Sequence, residues 1–225
     1  MYNHNKLDAE QESEEISEET PEEAPEEISG EEGEGQAPDL TFIDMNKPSP
    51  RLICLYGEIE EEKCSDAVLA LEILKEDGVE DEEGQIASDP IKFYISTFGG
   101  SAADMFAVYD AMRMAKDKCD IHTYGMGKVM SAGVLLLAAG TKGERRIGAN
   151  CRVMLHSVIS GQHGSIHDLE NEVQEVKFTQ KLWTKALLKE TNMSEAYLRR
   201  LMRKKVNVYF DAEKAVELGI ADIII

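Results

Sequence analysis

The stretch GMGKVMSAGVLLLAAGTKGERRIGANCRVMLHSV, residues 125–158, decides how the chain is read. It continues a β-like run, DIHTYGMG, into SAGVLLLAAG, a short segment apolar on nearly every side and stopped by Gly140. That pattern predicts a buried helix. CRVMLHSV then returns as a strand ending near His156. Two polar residues stand out in these surroundings. Ser131 sits where strand gives way to helix, and His156 lies in an apolar run.

Working outward, short β-like runs alternate with helical periodicity from residue 51 onward, the signature of an α/β domain. RLICLYG is a predicted buried strand, and EKCSDAVLALEILKE spaces Ala67, Leu71 and Leu74, with Val68, as an amphipathic helix. DGVEDEEGQIASD predicts a surface loop before the strand IKFYIST. Phe98-Gly99-Gly100 ends that strand, and AADMFAVYDAMRMAK follows as a helix with Met105, Val108, Met112 and Ala115 on one face. A glycine pair at such a junction lets backbone approach a ligand closely. Past the Gly-containing SGQHGS, a long helix is expected from about Ile166 to Leu188. Shorter ones follow at about Ser194–Lys204, with Ser194 as N-cap, and Ala212–Gly219, with Gly219 as terminator.

The 225 residues carry a net charge of −20. Residues 1–45 hold sixteen Asp and Glu against the single Lys6, so only −5 belongs to the remainder. This leader has too few apolar residues to offset ordering entropy and is expected to be disordered. It reads as a solvating leader, with a cleavable pro-segment or a pore guard as the alternative. Residues 46–225 form the predicted domain. The acidity excludes nucleic-acid binding, which needs Lys and Arg on phosphates. No run reaches the roughly 20 apolar residues of a membrane span, and no signal peptide is visible, so a cytoplasmic protein is expected. Cys54, Cys64, Cys119 and Cys151 lack metal-finger spacing and are expected to be reduced.

A serine at the start of a helix is most often an N-cap, and a histidine in an apolar strand is most often a core residue. Together they are also the minimum for nucleophilic catalysis, because a helix N-terminus offers unpaired N–H groups to an oxyanion and a nearby base activates the hydroxyl. Spacing alone leaves both readings open. His163 and His167, four apart, lack a placed acidic third ligand, and no metal site is expected.

YISTFGGSAADMFAVYDAMR, GKVMSAGVLLLAAGTKGERR, NCRVMLHSV and DAEKAVELGIAD resemble, in order, the motifs of the ClpP family, the proteolytic subunits of ATP-dependent Clp proteases. The resemblance covers residues 51–225 and keeps the family's 25-residue step from serine to histidine. It implies a ClpP/crotonase-like β-α superhelix with a protruding handle helix. It also implies a serine endopeptidase with Ser131 as nucleophile and His156 as general base. Gly100 and Ala132 would donate the oxyanion-hole N–H groups, and Gly161, Gln162 and His163 would lie in the strand that pairs with extended substrate. Implied partners are further copies in heptameric rings stacked as a tetradecamer, an AAA+ unfoldase, and unfolded polypeptides. No cofactor is implied. ATP would be consumed by the partner alone, since the chain lacks a phosphate loop.

Several positions depart from the family pattern. Phe98 replaces a proline, Lys92 stands where an aromatic usually lines the pocket for the partner ATPase, and Val206 replaces an arginine. Asn207 falls at the third triad position, where the family has Asp. An amide can orient the imidazole but supplies no charge, and in the serine-protease template an Asp-to-Asn change lowers the rate about 10⁴-fold. Asp211 could substitute, although its place before AEKAVELG is that of an N-cap. The expectation is a weakened but working peptidase. The alternatives are a weakly active or inactive subunit modulating another ClpP ring, and a crotonase-like acyl-CoA enzyme, whose fold also uses backbone oxyanion holes but relies on carboxylates.

Overall fold

The computed structural model describes residues 50–80, 86–87, 89–204 and 206–225. The expectations for the acidic leader, residues 1–45, lie outside the described residues. The order from there is β1 (Leu52–Ile59), α1 (Glu61–Leu74), β2 (Val79–Glu80), β3 (Ile86–Ala87), β4 (Ile91–Gly100), α2 (Ala102–Ala115) and β5 (Ile121–Met130). It continues with α3 (Ala132–Ala138), β6 (Arg146–Ile147), β7 (Arg152–Leu155), α4 (Ile166–Glu190), α5 (Glu195–Arg203), β8 (Val208–Phe210), α6 (Ala212–Glu217) and β9 (Ile223–Ile224).

The α/β expectation holds. β1, β4, β5, β6 and β9 form a parallel sheet in that order, β7 pairs parallel with the second half of β5, and β8 runs antiparallel to β7. β5 therefore serves two neighbours. Its residues Tyr124 and Gly125 pair with β6, and Lys128–Met130 pair with β7. Gly127, at φ 65°, lies between the two sections. Ile53, Leu55, Phe93, Ile95 and Ile121 alternate onto one face and are buried with Ala67, Leu71 and Leu74 of α1 and Met105, Val108 and Met112 of α2. All seven residues of α3 are buried, as its uniformly apolar sequence requires.

The helix boundaries follow local chemistry. Ser165 and Asp168 close a reciprocal capping box at the start of α4, and the Ser194 hydroxyl accepts from Tyr197 N–H at the start of α5. The expected loop at residues 77–89 instead contains a short antiparallel pair, Val79–Glu80 with Ile86–Ala87. β6, β8 and β9 carry no sequence signal of their own, because two or three residues are too few to show an alternation.

One buried cation ties the ends of several elements together. Arg145, 3 % exposed, donates to the carbonyls of Ala138, Glu190 and Gly219, at or just past the C-terminal ends of α3, α4 and α6, and pairs with the Asp222 carboxylate. Lys116 Nζ donates to Ala139 O at 2.7 Å, adding a second cation at the end of α3. Burial pushes the Asp222 carboxyl up, but hydrogen bonds from Arg145 and the Gly143 N–H outweigh it and hold it below the usual carboxylate range.

Asp222→Ala leaves Arg145 buried without its counter-charge. The expected cost is about 3 kcal/mol, the low end for breaking a buried pair, read as a lowered urea midpoint at pH 7. Because the folded carboxyl titrates below its unfolded value, the parent loses this contribution as pH falls through the folded value, and the gap between parent and variant should close there.

Candidate active site

β5 delivers Ser131 to the N-cap position of α3 in a backbone conformation of φ 53°, ψ −122°. Among the described residues it is the one non-glycine residue with positive φ. A side chain is held in such a conformation only where its surroundings over-determine it. They do so here. The Ser131 N–H donates to Met154 O at 2.8 Å, continuing the β5–β7 pairing, and the Ser131 side chain makes no capping bond to α3. The hydroxyl is therefore free for another partner. His156, one residue past β7, places Nε2 2.7 Å from Ser131 Oγ. The two polar residues isolated in the sequence meet.

β4 passes close beside them. A Cβ at Gly99, φ 107°, would lie 2.6 Å from Ser131 Cβ, and one at Gly100 would lie 2.1 Å from Ile59 O. Only glycines fit this passage. Buried Thr97 fixes the turn by accepting the Gly99 N–H on Oγ1 at 2.9 Å. Ser101 N–H donates back to Ile59 O, and both Gly100 and Ser101 line the pocket beside Ser131. Ala132 begins α3, and the first N–H groups of a helix have no intrahelical acceptor.

These groups open onto one pocket of about 170 Å³. Gly100, Ser131, Ala132 and His156 line one side, Ser157, Val158 and Ile159 form a wall, and Met105 and Trp183 supply buried apolar lining. Sequence reasoning placed Met105 only on an apolar helix face and did not single out Trp183, the sole tryptophan. Neither carries a local signal, since both project into the pocket from helices remote from Ser131 in sequence. Gly161, Gln162 and His163 are exposed and lie outside this lining, in a segment with no strand.

Asn207 has a more complex placement. The antiparallel register pairs Leu155 with Val208, so one further step sets position 156 opposite position 207. Yet Asn207 is exposed, and among the described residues the His156 ring makes one side-chain hydrogen bond, the one with Ser131. The ladder ends one residue short of them. Asp211 is taken up elsewhere, accepting the Lys214 N–H at 2.9 Å as N-cap of α6. Half-buried, and with no carboxylate hydrogen-bonded to its ring among the described residues, His156 has its pKa pushed down by burial. Among the described residues no three His, Cys, Asp or Glu side chains are grouped to hold a metal ion, and no helix is long and apolar enough to cross a membrane. The four cysteines are free, Cys54 exposed and the others buried.

The family model described as Clp protease matches residues 44–225. The ATP-dependent Clp protease proteolytic subunit 4 of Rhodococcus jostii is 34 % identical over 176 residues, covering 78 % of this chain and 84 % of that protein. The ATP-dependent Clp protease proteolytic subunit of Bdellovibrio bacteriovorus is 32 % identical over 178 residues, 78 % of each chain. Subunit 2 of Corynebacterium jeikeium is 32 % identical over 174 residues, 76 % of this chain and 77 % of that one.

The His156 environment gives a measurable sign. In an NMR titration of the ring, the midpoint is expected below the ordinary histidine value of about 6.5. The unfolded chain then binds more protons than the folded one between the two values, so this group lowers stability as pH falls through that window. A midpoint above the ordinary value would show that a carboxylate reaches the ring.

Proposed function

The chain belongs to the Clp protease family, and we propose that this ClpP-type serine peptidase works through Ser131 as nucleophile and His156 as general base. The observation that carries the assignment is the 2.7 Å contact between Ser131 Oγ and His156 Nε2 at the mouth of an apolar pocket. For Nε2 to accept the hydroxyl proton, the neutral ring must carry its own proton on Nδ1. A lowered pKa keeps the ring in that neutral, accepting form at physiological pH.

Attack of Oγ on a peptide carbonyl gives a tetrahedral oxyanion, for which the Gly100 and Ala132 N–H groups are the proposed donors. The imidazolium returns its proton to the leaving amine, and water, activated by the same ring, releases the acyl group. The lining by Met105, Trp183, Val158 and Ile159 favours an apolar side chain at the residue whose carbonyl is attacked. The scheme uses side chains and backbone alone, with ATP consumed by a partner.

The assembly proposal has its own support. Ile166, Leu169 and Val173 share one exposed apolar face in the first half of α4, and Phe178 and Leu182 are exposed on another in its second half, apolar surface that partner copies would cover. We place the chain in cytoplasmic, stacked heptameric rings that receive unfolded polypeptides from an AAA+ unfoldase of the Clp type. Gly161, Gln162 and His163, exposed ahead of α4, are the proposed segment for pairing with extended substrate. The Asn207 amide, which makes no side-chain hydrogen bond among the described residues, favours a second reading, a weakly active subunit that modulates an active ClpP ring.

Hydrolysis of a fluorogenic peptide tests both. Ser131→Ala should lower kcat/KM about 10⁴-fold or more. Asn207→Asp should raise it about 10-fold or more and move the acid limb of the pH profile upward, as a carboxylate stabilises the protonated ring. A well-formed ring in which parent, Ser131→Ala and Asn207→Asp are all silent would favour the modulating subunit.

A further inference from the structure

The pocket wall made by Ser157, Val158 and Ile159 belongs to no helix or strand. Among the described residues, no backbone–backbone hydrogen bond reaches residues 157–163. Two α4 side chains hold the segment instead. Gln180 Oε1 accepts the Val158 N–H at 2.7 Å, and Glu172 accepts the Ser160 hydroxyl at 2.6 Å. Of the two anchored residues, Val158 lines the pocket and Ser160 does not.

The direction of each bond around Gln180 is fixed by chemistry. A backbone N–H can only donate, so the amide must present its oxygen to Val158 and its NH₂ to the other side. There Nε2 donates to Thr184 Oγ1 at 3.2 Å, and the Thr184 hydroxyl spends its own proton on the Gln180 main-chain carbonyl at 2.8 Å. Gln180, Trp183 and Thr184 occupy positions i, i+3 and i+4 of α4 and share one helical face. The helix that lines the pocket with Trp183 thus also holds its wall through Gln180.

We propose that Gln180 is a positioning residue for the peptidase reaction. Its side-chain oxygen replaces the backbone acceptor that the wall lacks, and so fixes Val158 and Ile159 where the substrate residue beside the scissile bond packs. Ser157 alone separates Val158 from His156 in the chain, but among the described residues no hydrogen bond joins Gln180 to Ser131 or His156. Its loss should act on substrate binding far more than on the chemical step. The role rests on the reading of Ser131 and His156 as the peptidase centre.

The test compares the full-length parent with Gln180→Met, which matches length without an acceptor, and Gln180→Glu, which keeps one. With a fluorogenic peptide, Gln180→Met should raise KM about 5- to 30-fold while kcat stays within about 3-fold, the scale of one hydrogen bond lost from a partly buried donor. Gln180→Glu should return KM to within about 3-fold of the parent. Exchange of the Val158 amide should quicken in Gln180→Met and stay slow in Gln180→Glu. If Gln180→Met fails to fold, Thr184→Val, which removes only the orienting hydroxyl, should raise KM about 2- to 5-fold. A parent that cleaves peptide and is labelled at Ser131 by a fluorophosphonate, with KM unmoved in these variants or not restored by Gln180→Glu, overturns the role of Gln180 alone. A parent that neither cleaves nor labels overturns the peptidase reading beneath it.

Discussion

A side-chain carbon at position 99 would sit 2.6 Å from Ser131 Cβ, so the end of β4 can pass the serine only as bare backbone. The rest of the site depends on this passage. The same closeness recurs at the second residue of α3, where a Cβ at Gly133 would meet Thr97 Cγ2 at 2.3 Å. Strand and helix pack near the limit of contact on both sides of Ser131. A backbone so confined holds Ser131 at φ 53° without a local sequence device such as a glycine at its own position. The strain is offset by the surrounding packing, and its product is a hydroxyl turned away from α3 and toward His156.

The other end of α3 is held as firmly by different means. Arg145 and Lys116 place two cations on the carbonyls of Ala138 and Ala139, where the helix dipole is negative. Arg145 extends the same grip to the ends of α4 and α6 through Glu190 and Gly219. The buried carboxylate of Glu190 is itself satisfied by the Tyr109 hydroxyl at 2.7 Å, whose own pKa is raised by burial and by that bond. A helix of seven residues has little stability of its own. It is fixed here by a glycine-lined approach at one end, a cation cluster at the other and apolar burial between.

What could be read from the sequence follows from how local each determinant is. The α3 segment, the amphipathic faces of α1 and α2 and the N-cap Ser194 announce themselves within a few residues, and the structure keeps them. Ser131 and His156 are local only as anomalies, polar residues in apolar runs; their contact needs β5 and β7 to pair, which periodicity does not disclose. Arg145 sits in GERRIG beside Arg146 with nothing to mark it as buried, since its partners lie from Ala138 to Asp222. Trp183 and Gln180 share this difficulty. Each acts across a gap in sequence that only the packing of α4 against the pocket closes.

The arrangement separates two tasks that a catalytic carboxylate usually performs together. Orientation of His156 is met in part by the end of β7 and by the contact with Ser131, and burial keeps the ring neutral before reaction. In the proposed mechanism, stabilisation of the charged ring is not met among the described residues, because burial that favours the neutral base opposes the imidazolium that would form as Ser131 gives up its proton. A carboxylate at about 4 Å would contribute about 4 kcal/mol at an effective dielectric of 20, roughly a thousandfold in rate. An amide at position 207 contributes only a dipole, and in the described geometry it does not reach the ring. In the proposed mechanism the unmet demand is therefore the imidazolium charge, and position 207, one step beyond the β7–β8 ladder, is where a counter-charge would have to come from.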